Sequence, residues 1–343
     1  MTLADVVLAL MWLGVIAYAL FAGADFGAGI WDLLAGGTRR GAPQRALIEH
    51  AIGPVWEANH VWLIFILVVL WTAFPPAFAA IASTLYIPFT LAAFGMIARG
   101  AAFAFRSGVD TPNARRLLGA SFAFASLCTP FFLGAIAGAV ASGRVPPGIA
   151  AGDVITSWVN PTSMFSGVLA VAVCGYLAAV YLCADARREH EPELTERFRA
   201  GALLSSLVAG VLALIGIAVL RADAPQLFAE LRGRALPVVV VSALAGLVSI
   251  GLLVQRRYAR ARVAAAVAVA AVLCGWAVAQ YPYLLESQLT IADGAAGRST
   301  LVAVLVALVV GGVLLVPSLV FLYRLFQHRA PVAVAADPAA GPA

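Results

Sequence analysis

The most unusual feature of this sequence is a set of titratable and hydrogen-bonding side chains inside otherwise apolar segments. Glu57, Asn59 and His60 lie in the run PVWEANHVW, residues 54–62, which leads into a long apolar stretch. Carboxylates and imidazoles can accept and release protons. A charged side chain at the centre of a bilayer costs about 2.5–3.5 kcal/mol on insertion scales, so such groups are rare in membrane helices and commonly functional.

Two further charged residues occur at comparable positions in neighbouring segments. Asp25 lies between Gly23 and Gly27, a GxxxG spacing that lets helices approach closely, and Arg99 lies in a third apolar segment. With the helix ends predicted below, Asp25, Glu57 and Arg99 lie roughly 9–14 Å from one membrane surface at 1.5 Å per residue. We therefore expect the two acids to share one buried, hydrated pocket, with Arg99 compensating their charge.

The neighbours of these groups are expected to support the pocket. Trp56 and Asn59 flank Glu57 in the sequence, and His60 follows Glu57 by one helical turn, so that their side chains can share a face. Asp25, Glu57 and His60 are thus the candidate functional residues.

Each candidate also has a purely structural interpretation. Arg99 could extend its guanidinium to the membrane surface, and Asp25 and Asp32 could cap or bend a glycine-rich helix. Glu57 could form a structural pair with an arginine or with His60. His60 could ligate a haem or a metal, but no second ligand in the membrane is spaced to partner it, which favours a proton-relay or hydrogen-bonding role.

The bulk composition predicts a multi-pass membrane protein. The chain has 343 residues, of which 63% are hydrophobic and 11% charged, whereas soluble domains carry about 25% charged residues. Nine segments are long enough to span a bilayer at about 20 residues each, so the fold class is all-α. We predict helices near 6–34, 50–73, 78–105, 115–142, 160–184, 200–220, 236–255, 262–284 and 299–326. They form one domain over 1–329, followed by a disordered tail over 330–343.

The termini, the cysteines and the basic residues narrow the class further. The first apolar run is too long for a cleaved secretory signal. The four cysteines show no metal-binding spacing and are expected to be buried thiols. The arginines that produce the net charge of +5 lie at helix ends, where positive charge sets the membrane topology. The charge therefore does not indicate a nucleic-acid partner.

Arginine placement predicts the membrane orientation. The loops after the first, third, fifth and seventh helices, with the C-terminal end, hold 16 arginines, whereas the other side holds five. By the positive-inside rule the N-terminus is outside and the C-terminus is cytoplasmic.

Two motifs resemble those of a known family. The segment GADFGAGI, residues 23–30, is similar to the DGFDxGxG motif of cytochrome bd-type quinol oxidase subunit II. Residues 54–63, PVWEANHVWL, resemble that family's PxW(D/E)xNxxWL motif. Further matches in the same order are Ala73-Phe-Pro75, Arg99 with Arg106, Asn160-Pro161, Leu289-Thr290 and Asp293-Gly-Ala295.

The resemblance implies a function and a set of partners. This chain would be a subunit without haem, paired with a subunit I that holds the b-type haems, haem d and the quinol site. The complex would oxidise quinol and reduce dioxygen to water in the bacterial cytoplasmic (inner) membrane, taking protons from the cytoplasm. This chain would support assembly with subunit I and supply part of the proton path through Asp25, Glu57 and His60. Membrane lipid, a structural quinone in this chain and a small accessory subunit remain open.

The sequence departs from the family motifs at three positions. Ala22 replaces the first acid of the helix-one motif, Glu57 replaces the commoner aspartate, and His60 stands where glutamine or glutamate is common. A proton-coupled secondary transporter is the alternative, although transporters place polar groups in both halves of the chain.

Overall fold

The computed structural model describes residues 2–37, 40–53, 56–106, 108 and 111–327. The predicted tail over 330–343 lies outside this range. The described helices in the first half of the chain are α1 (Leu3–Leu33), α2 (Ala42–Ile52), α3 (Trp56–Ala73), α4 (Pro75–Thr84), α5 (Tyr86–Arg106) and α6 (Pro112–Ala141). Those of the second half are α7 (Pro161–Arg188), α8 (Pro192–Asp223), α9 (Pro225–Arg232), α10 (Leu236–Val254), α11 (Tyr258–Gln280), α12 (Ile291–Gly294) and α13 (Arg298–Gln327).

Nine of the described helices are long and apolar enough to cross a membrane: α1, α3, α5, α6, α7, α8, α10, α11 and α13. The helical fold class and the count of spans predicted from the sequence are thereby confirmed.

The second predicted span begins later than the sequence suggested. In place of one helix over 50–73, the short helix α2 ends at Ile52, Gly53 follows it, and α3 begins at Trp56. Glu57 consequently lies in the first turn of its span rather than two turns inside it.

The third predicted span is also divided. The helix expected over 78–105 is two helices, α4 and α5, separated at Leu85, whose φ of −104° and ψ of 25° leave the helical region. Pro88 explains the break, because it cannot donate the hydrogen bond that the carbonyl of Thr84 would accept in a continuous helix.

The eighth span ends before the predicted boundary at 284. Helix α11 stops at Gln280, and the chain forms a small antiparallel hairpin from β1 (Tyr283–Leu285) and β2 (Leu289–Thr290) before α12. The segment packs into the protein core, where Leu284, Leu285 and Ile291 are buried against α1, α3, α4 and α6.

Helix α1 runs through the centre of the molecule. Its most extensive contacts are with α7, α3 and α6, and it also touches α2, α11, α12 and α13. The largest apolar core surrounds its C-terminal half and is built mainly from α7 with α8 and α11. A polar residue in this part of α1 is therefore enclosed by protein on most sides.

Glycines set how closely α1 approaches its neighbours. A Cβ on Gly27 would overlap the Cys174 carbonyl of α7, and a Cβ on Gly29 would overlap Ser126 of α6. Gly23, the other member of the GxxxG pair, leaves ordinary contact distance to Cys174 Sγ. The close approach therefore depends on Gly27 and Gly29 more than on Gly23.

Replacing Gly27 by alanine tests this contact. The variant forces α1 and α7 apart, and we expect a loss of about 1–3 kcal/mol in the free energy of unfolding in detergent, the usual cost of overpacking. Gly210→Ala is the control, because Gly210 has nothing within 4 Å of its Cβ position. Alanine there should be neutral or stabilising by up to about 1 kcal/mol. Equal effects of the two changes would contradict the contact.

Candidate functional site

The charged and amide groups of α1 and α3 meet in the interior of the bundle. Asn59 Nδ2 donates a hydrogen bond to Asp25 Oδ2 at 2.7 Å. Asp25 is 6% exposed and Asn59 is 3% exposed. Asp25 lies about 12 Å from the end of α1 at 1.5 Å per residue, so its carboxylate is well inside the membrane-spanning part of the helix.

Arg99 brings a third helix, α5, to the same place. Its guanidinium donates from Nη2 to the carbonyl oxygen of Asp25 at 2.9 Å and from Nε to Ser126 Oγ at 3.2 Å. Arg99 is 2% exposed, and its positive charge attracts the Asp25 carboxylate. The extension of Arg99 to the membrane surface, which the sequence left open, is therefore wrong.

Two aromatic rings and a hydroxyl complete the surroundings of the guanidinium. Arg99 Cζ lies 5.2 Å from the ring centre of Phe26 and 4.9 Å from that of Phe122. The Ser126 hydroxyl in turn donates a hydrogen bond to the Phe122 carbonyl oxygen at 2.7 Å. We call Asp25, Asn59, Arg99 and Ser126 the buried polar cluster; it joins α1, α3, α5 and α6.

Glu57 does not enter this cluster. Its side chain is exposed in the isolated chain, whereas Asp25 is buried. Successive helix residues are rotated by about 100°, so a side chain two residues before Asn59 points to nearly the opposite side of α3. The expectation of one buried pocket shared by Asp25 and Glu57 is therefore wrong, and the polar partner that α3 supplies to Asp25 is Asn59.

His60 lies between the exposed and buried sides of α3. It is half-buried, and its ring centre lies 6.1 Å from Tyr18, 5.7 Å from Phe26 and 6.2 Å from Trp56. Its Nδ1 atom is buried and has no hydrogen-bond partner within the described part of the chain. Phe26 touches both His60 and Arg99, which places the imidazole beside the buried polar cluster.

Trp56 packs at the entrance to this region. It is half-buried, and its indole lies 5.6 Å from Phe103 on α5 and against the position of Gly100. It therefore supports the α3–α5 contact by packing and not by a hydrogen bond to the buried polar cluster.

Asp32 belongs to a second layer nearer the helix end. Its Oδ1 lies 3.3 Å from Arg45 Nε of α2. Gln44 of the same helix donates to the Trp31 carbonyl at 2.7 Å, and Trp31 donates to the Gly175 carbonyl at 2.8 Å. These contacts attach α2 to α1 and α7.

Sequence reasoning missed two residues. Ser126 of α6 carries no sequence signal beyond being a serine in an apolar helix, yet it receives the Arg99 guanidinium. Glu286, in the turn between β1 and β2, is 6% exposed, and burial raises the pKa of its carboxyl. It directly follows Leu284 and Leu285 of β1, which are also buried.

The possible ligation of a metal by His60 was tested by looking for neighbouring ligands. Among the residues that the structure describes, no three His, Cys, Asp or Glu side chains are grouped so as to hold a metal ion. His60 is packed among aromatic rings.

The described residues thus form nine helices able to span a membrane, and four of these helices enclose a buried acid–amide–guanidinium cluster. This defines a multi-pass membrane protein that carries ionisable groups inside its bundle. The chain belongs to the cytochrome bd terminal oxidase subunit II family, whose model matches residues 3–326. The resemblance inferred from the two sequence motifs is thereby confirmed.

Individual relatives agree with this assignment. The chain is 29% identical over 160 residues to a cytochrome bd ubiquinol oxidase subunit 2 of Bacillus subtilis. It is 27% identical over 216 residues to a cytochrome bd-I ubiquinol oxidase subunit 2 of Escherichia coli. These alignments cover 46% and 59% of this chain, and 46% and 55% of the two relatives, so about half of each relative's length is matched.

A solved structure matches over a greater length. The structure of the bd oxidase from Geobacillus thermodenitrificans contains a chain that superposes with a TM-score of 0.73 and 28% sequence identity. The superposition covers 96% of this chain and 100% of that chain. The similarity in fold therefore extends over nearly the whole chain.

The hydrogen bond between Asn59 and Asp25 can be tested by Asn59→Leu. Leucine has a similar volume but cannot donate, so the buried carboxylate loses one donor. Since a hydrogen bond to a charged group contributes about 1.5–3 kcal/mol, we expect a loss of that size in the free energy of unfolding in detergent.

Thr72→Val is the control for this change. Thr72 lies on the same helix and donates only to the Val68 carbonyl of its own backbone, at an exposed position. We expect a change near zero. An Asn59→Leu protein as stable as the Thr72→Val protein would show that the Asn59 contact contributes nothing.

Proposed function

We propose that this chain is the subunit II of a bd-type terminal oxidase, a complex that oxidises quinol and reduces dioxygen to water. The observation that carries the proposal is the family match over residues 3–326. No observation favours the alternative, a proton-coupled secondary transporter, because the buried polar cluster lies in the first half of the chain.

The proposed complex pairs this chain with a haem-bearing subunit I in the bacterial cytoplasmic membrane. The b-type haems, haem d and the quinol site are assigned to that partner. The N-terminus is assigned to the outside and the C-terminus to the cytoplasm, because 16 of the 22 arginines fall on the side that this orientation makes cytoplasmic.

An apolar stripe on α3 supports a partner contact beside Glu57. Val61, Ile64, Val68 and Trp71 are all exposed in the isolated chain. Together with Glu57 they follow the spacing of one helix face. We assign this stripe to the contact with subunit I, which would enclose the Glu57 carboxylate between the two subunits.

Reduction of dioxygen consumes protons as well as electrons, so protons must reach a site buried in the membrane. Glu57 lies in the first turn of α3. In the proposed orientation this turn faces the cytoplasm, from which Glu57 would take a proton. His60, one turn further along the same helix, can accept a proton on one ring nitrogen and release it from the other. We assign these two residues to proton transfer.

Asp25 is the third residue of the proposed path. Its carboxylate accepts from Asn59 and is attracted by Arg99, and Phe26, the next residue of α1, packs against the His60 ring. Two roles are open to it: it accepts a proton during turnover, or its fixed charge positions the groups around His60. These roles differ in what the Asp25→Asn variant does to turnover and to haem content.

Removing the carboxylates one at a time tests the path. In the purified complex, Glu57→Gln should lower the rate of oxygen reduction by about ten-fold or more, because a positioned proton carrier contributes at least that much. Haem content should be unchanged. Asp25→Asn should lower the rate at unchanged haem content if Asp25 carries protons, and should lower haem content if it only holds the helices.

The control for Glu57→Gln is Glu193→Gln. Glu193 is likewise an exposed glutamate in the first turn of a membrane-spanning helix, so it matches Glu57 in position and helix-dipole environment. Its variant should keep the normal rate. A normal rate in Glu57→Gln would contradict the proposed path while leaving the family assignment intact.

A further inference from the structure

We propose that a cavity lined by arginines beside α7 and α11 binds the phosphate of an anionic lipid headgroup. The cavity has a volume of about 310 Å³, and Arg187, Arg188, Arg256 and Arg262 line it together with Tyr258. Guanidinium groups recognise phosphate oxygens in a planar, two-pronged geometry. The inference does not rest on the proposed oxidase activity, because any membrane protein can hold such a lipid.

The cavity has more positive than negative charge. Asp185 is shared between Arg188 Nη2 at 2.9 Å and Arg262 Nη1 at 3.4 Å. Glu196 is likewise shared by Arg256, at 3.3 Å, and an arginine outside the cavity lining. Each of these carboxylates therefore faces two guanidiniums, and the shared pairs leave a positive surplus that a phosphate would neutralise.

Arg262 of the cavity lining is held in place before any ligand binds. The Arg262 guanidinium lies 4.4 Å from the ring centre of Tyr181, and it also pairs with Asp185. Such prior positioning lowers the entropy that is lost when a ligand orders the side chains. The cavity is therefore more than a solvated run of arginines.

The backbone at Arg256 supports the same conclusion. Arg256 has a φ of +59°, in the left-handed region where glycine or asparagine is usual after a helix. Its N–H closes α10 by bonding to the Leu253 carbonyl at 3.2 Å. An arginine in this strained position supplies a guanidinium to the cavity that the favoured glycine could not.

An apolar surface adjoins the cavity and favours a lipid over free phosphate. Val263, the residue after Arg262, is 63% exposed, and Val267, one turn further along α11, is 44% exposed. Val254 at the end of α10 is 57% exposed. Acyl chains can lie along these side chains while the phosphate is bound by the arginines.

A neighbouring, more open cavity of about 370 Å³ extends the basic surface. Arg257 and Arg260 line it with Tyr258, which is common to both cavities. The positive surface therefore continues along the same end of α11, where an anionic leaflet would lie.

The experiment measures lipid retention by the purified complex in nanodiscs of phosphatidylglycerol or phosphatidylcholine, using native mass spectrometry and thermal unfolding. The unmodified protein should retain phosphatidylglycerol and melt at a higher temperature with it than with phosphatidylcholine. Arg187→Gln should weaken retention by about five-fold, the ratio that corresponds to about 1 kcal/mol per basic residue at an anionic surface.

Arg256→Gly removes a second guanidinium without risk to the fold, since glycine accepts the positive φ. We expect this variant to unfold at the same or a higher temperature in phosphatidylcholine, and to lose part of the stabilisation by phosphatidylglycerol. Arg221→Gln is the control, because Arg221 is an exposed arginine in the last turn of α8. It should retain lipid like the unmodified protein.

Two outcomes would overturn the proposal. One is equal phosphatidylglycerol retention in Arg187→Gln, Arg256→Gly and the control. The other is stabilisation by inorganic phosphate that equals stabilisation by phosphatidylglycerol, because the cavity would then bind free phosphate without using the apolar surface.

Discussion

The structure depends on a buried charge that is compensated in place. The Asp25 carboxylate would be prohibitively costly in a membrane interior without partners. It is stable because Asn59 donates to it and Arg99, itself 2% exposed, supplies the opposite charge. Since these partners come from α3 and α5, the requirement to satisfy one carboxylate fixes three helices relative to one another.

The same requirement explains the small residues around the cluster. Gly27 lets α7 approach the backbone of α1, and Gly29 makes room for Ser126, which receives the Arg99 guanidinium. Close packing excludes lipid and water from the charges, and the charges in turn require close packing. The exposed Glu57 and the half-buried His60 lie outside this enclosure, where protons and a partner subunit can reach them.

The sequence predicted the helical class and the nine spans, because long apolar runs are a strong signal for membrane helices. It also predicted that Asp25 and Arg99 compensate each other inside the bundle, because isolated charges in such runs need partners. It did not predict which side of α3 faces Asp25. Which side faces Asp25 depends on how α3 is rotated about its axis. Glu57 and Asn59 are only two residues apart, so a modest rotation would exchange them. The break at Leu85 could be predicted from Pro88, because proline disfavours a continuous helix. The contact of Ser126 with Arg99 could not, because it depends on how α6 packs in three dimensions.

A double-mutant cycle on Asp25 and Arg99 tests the central claim most directly. The free energies of unfolding in detergent are compared for the unmodified chain, Asp25→Asn, Arg99→Gln and the double variant. Breaking a buried pair from one side typically costs about 3–5 kcal/mol, so each single variant should lose that much. The double variant should lose far less than the sum. Losses that add within about 0.5 kcal/mol would show that the two charges do not stabilise each other, and would contradict the account.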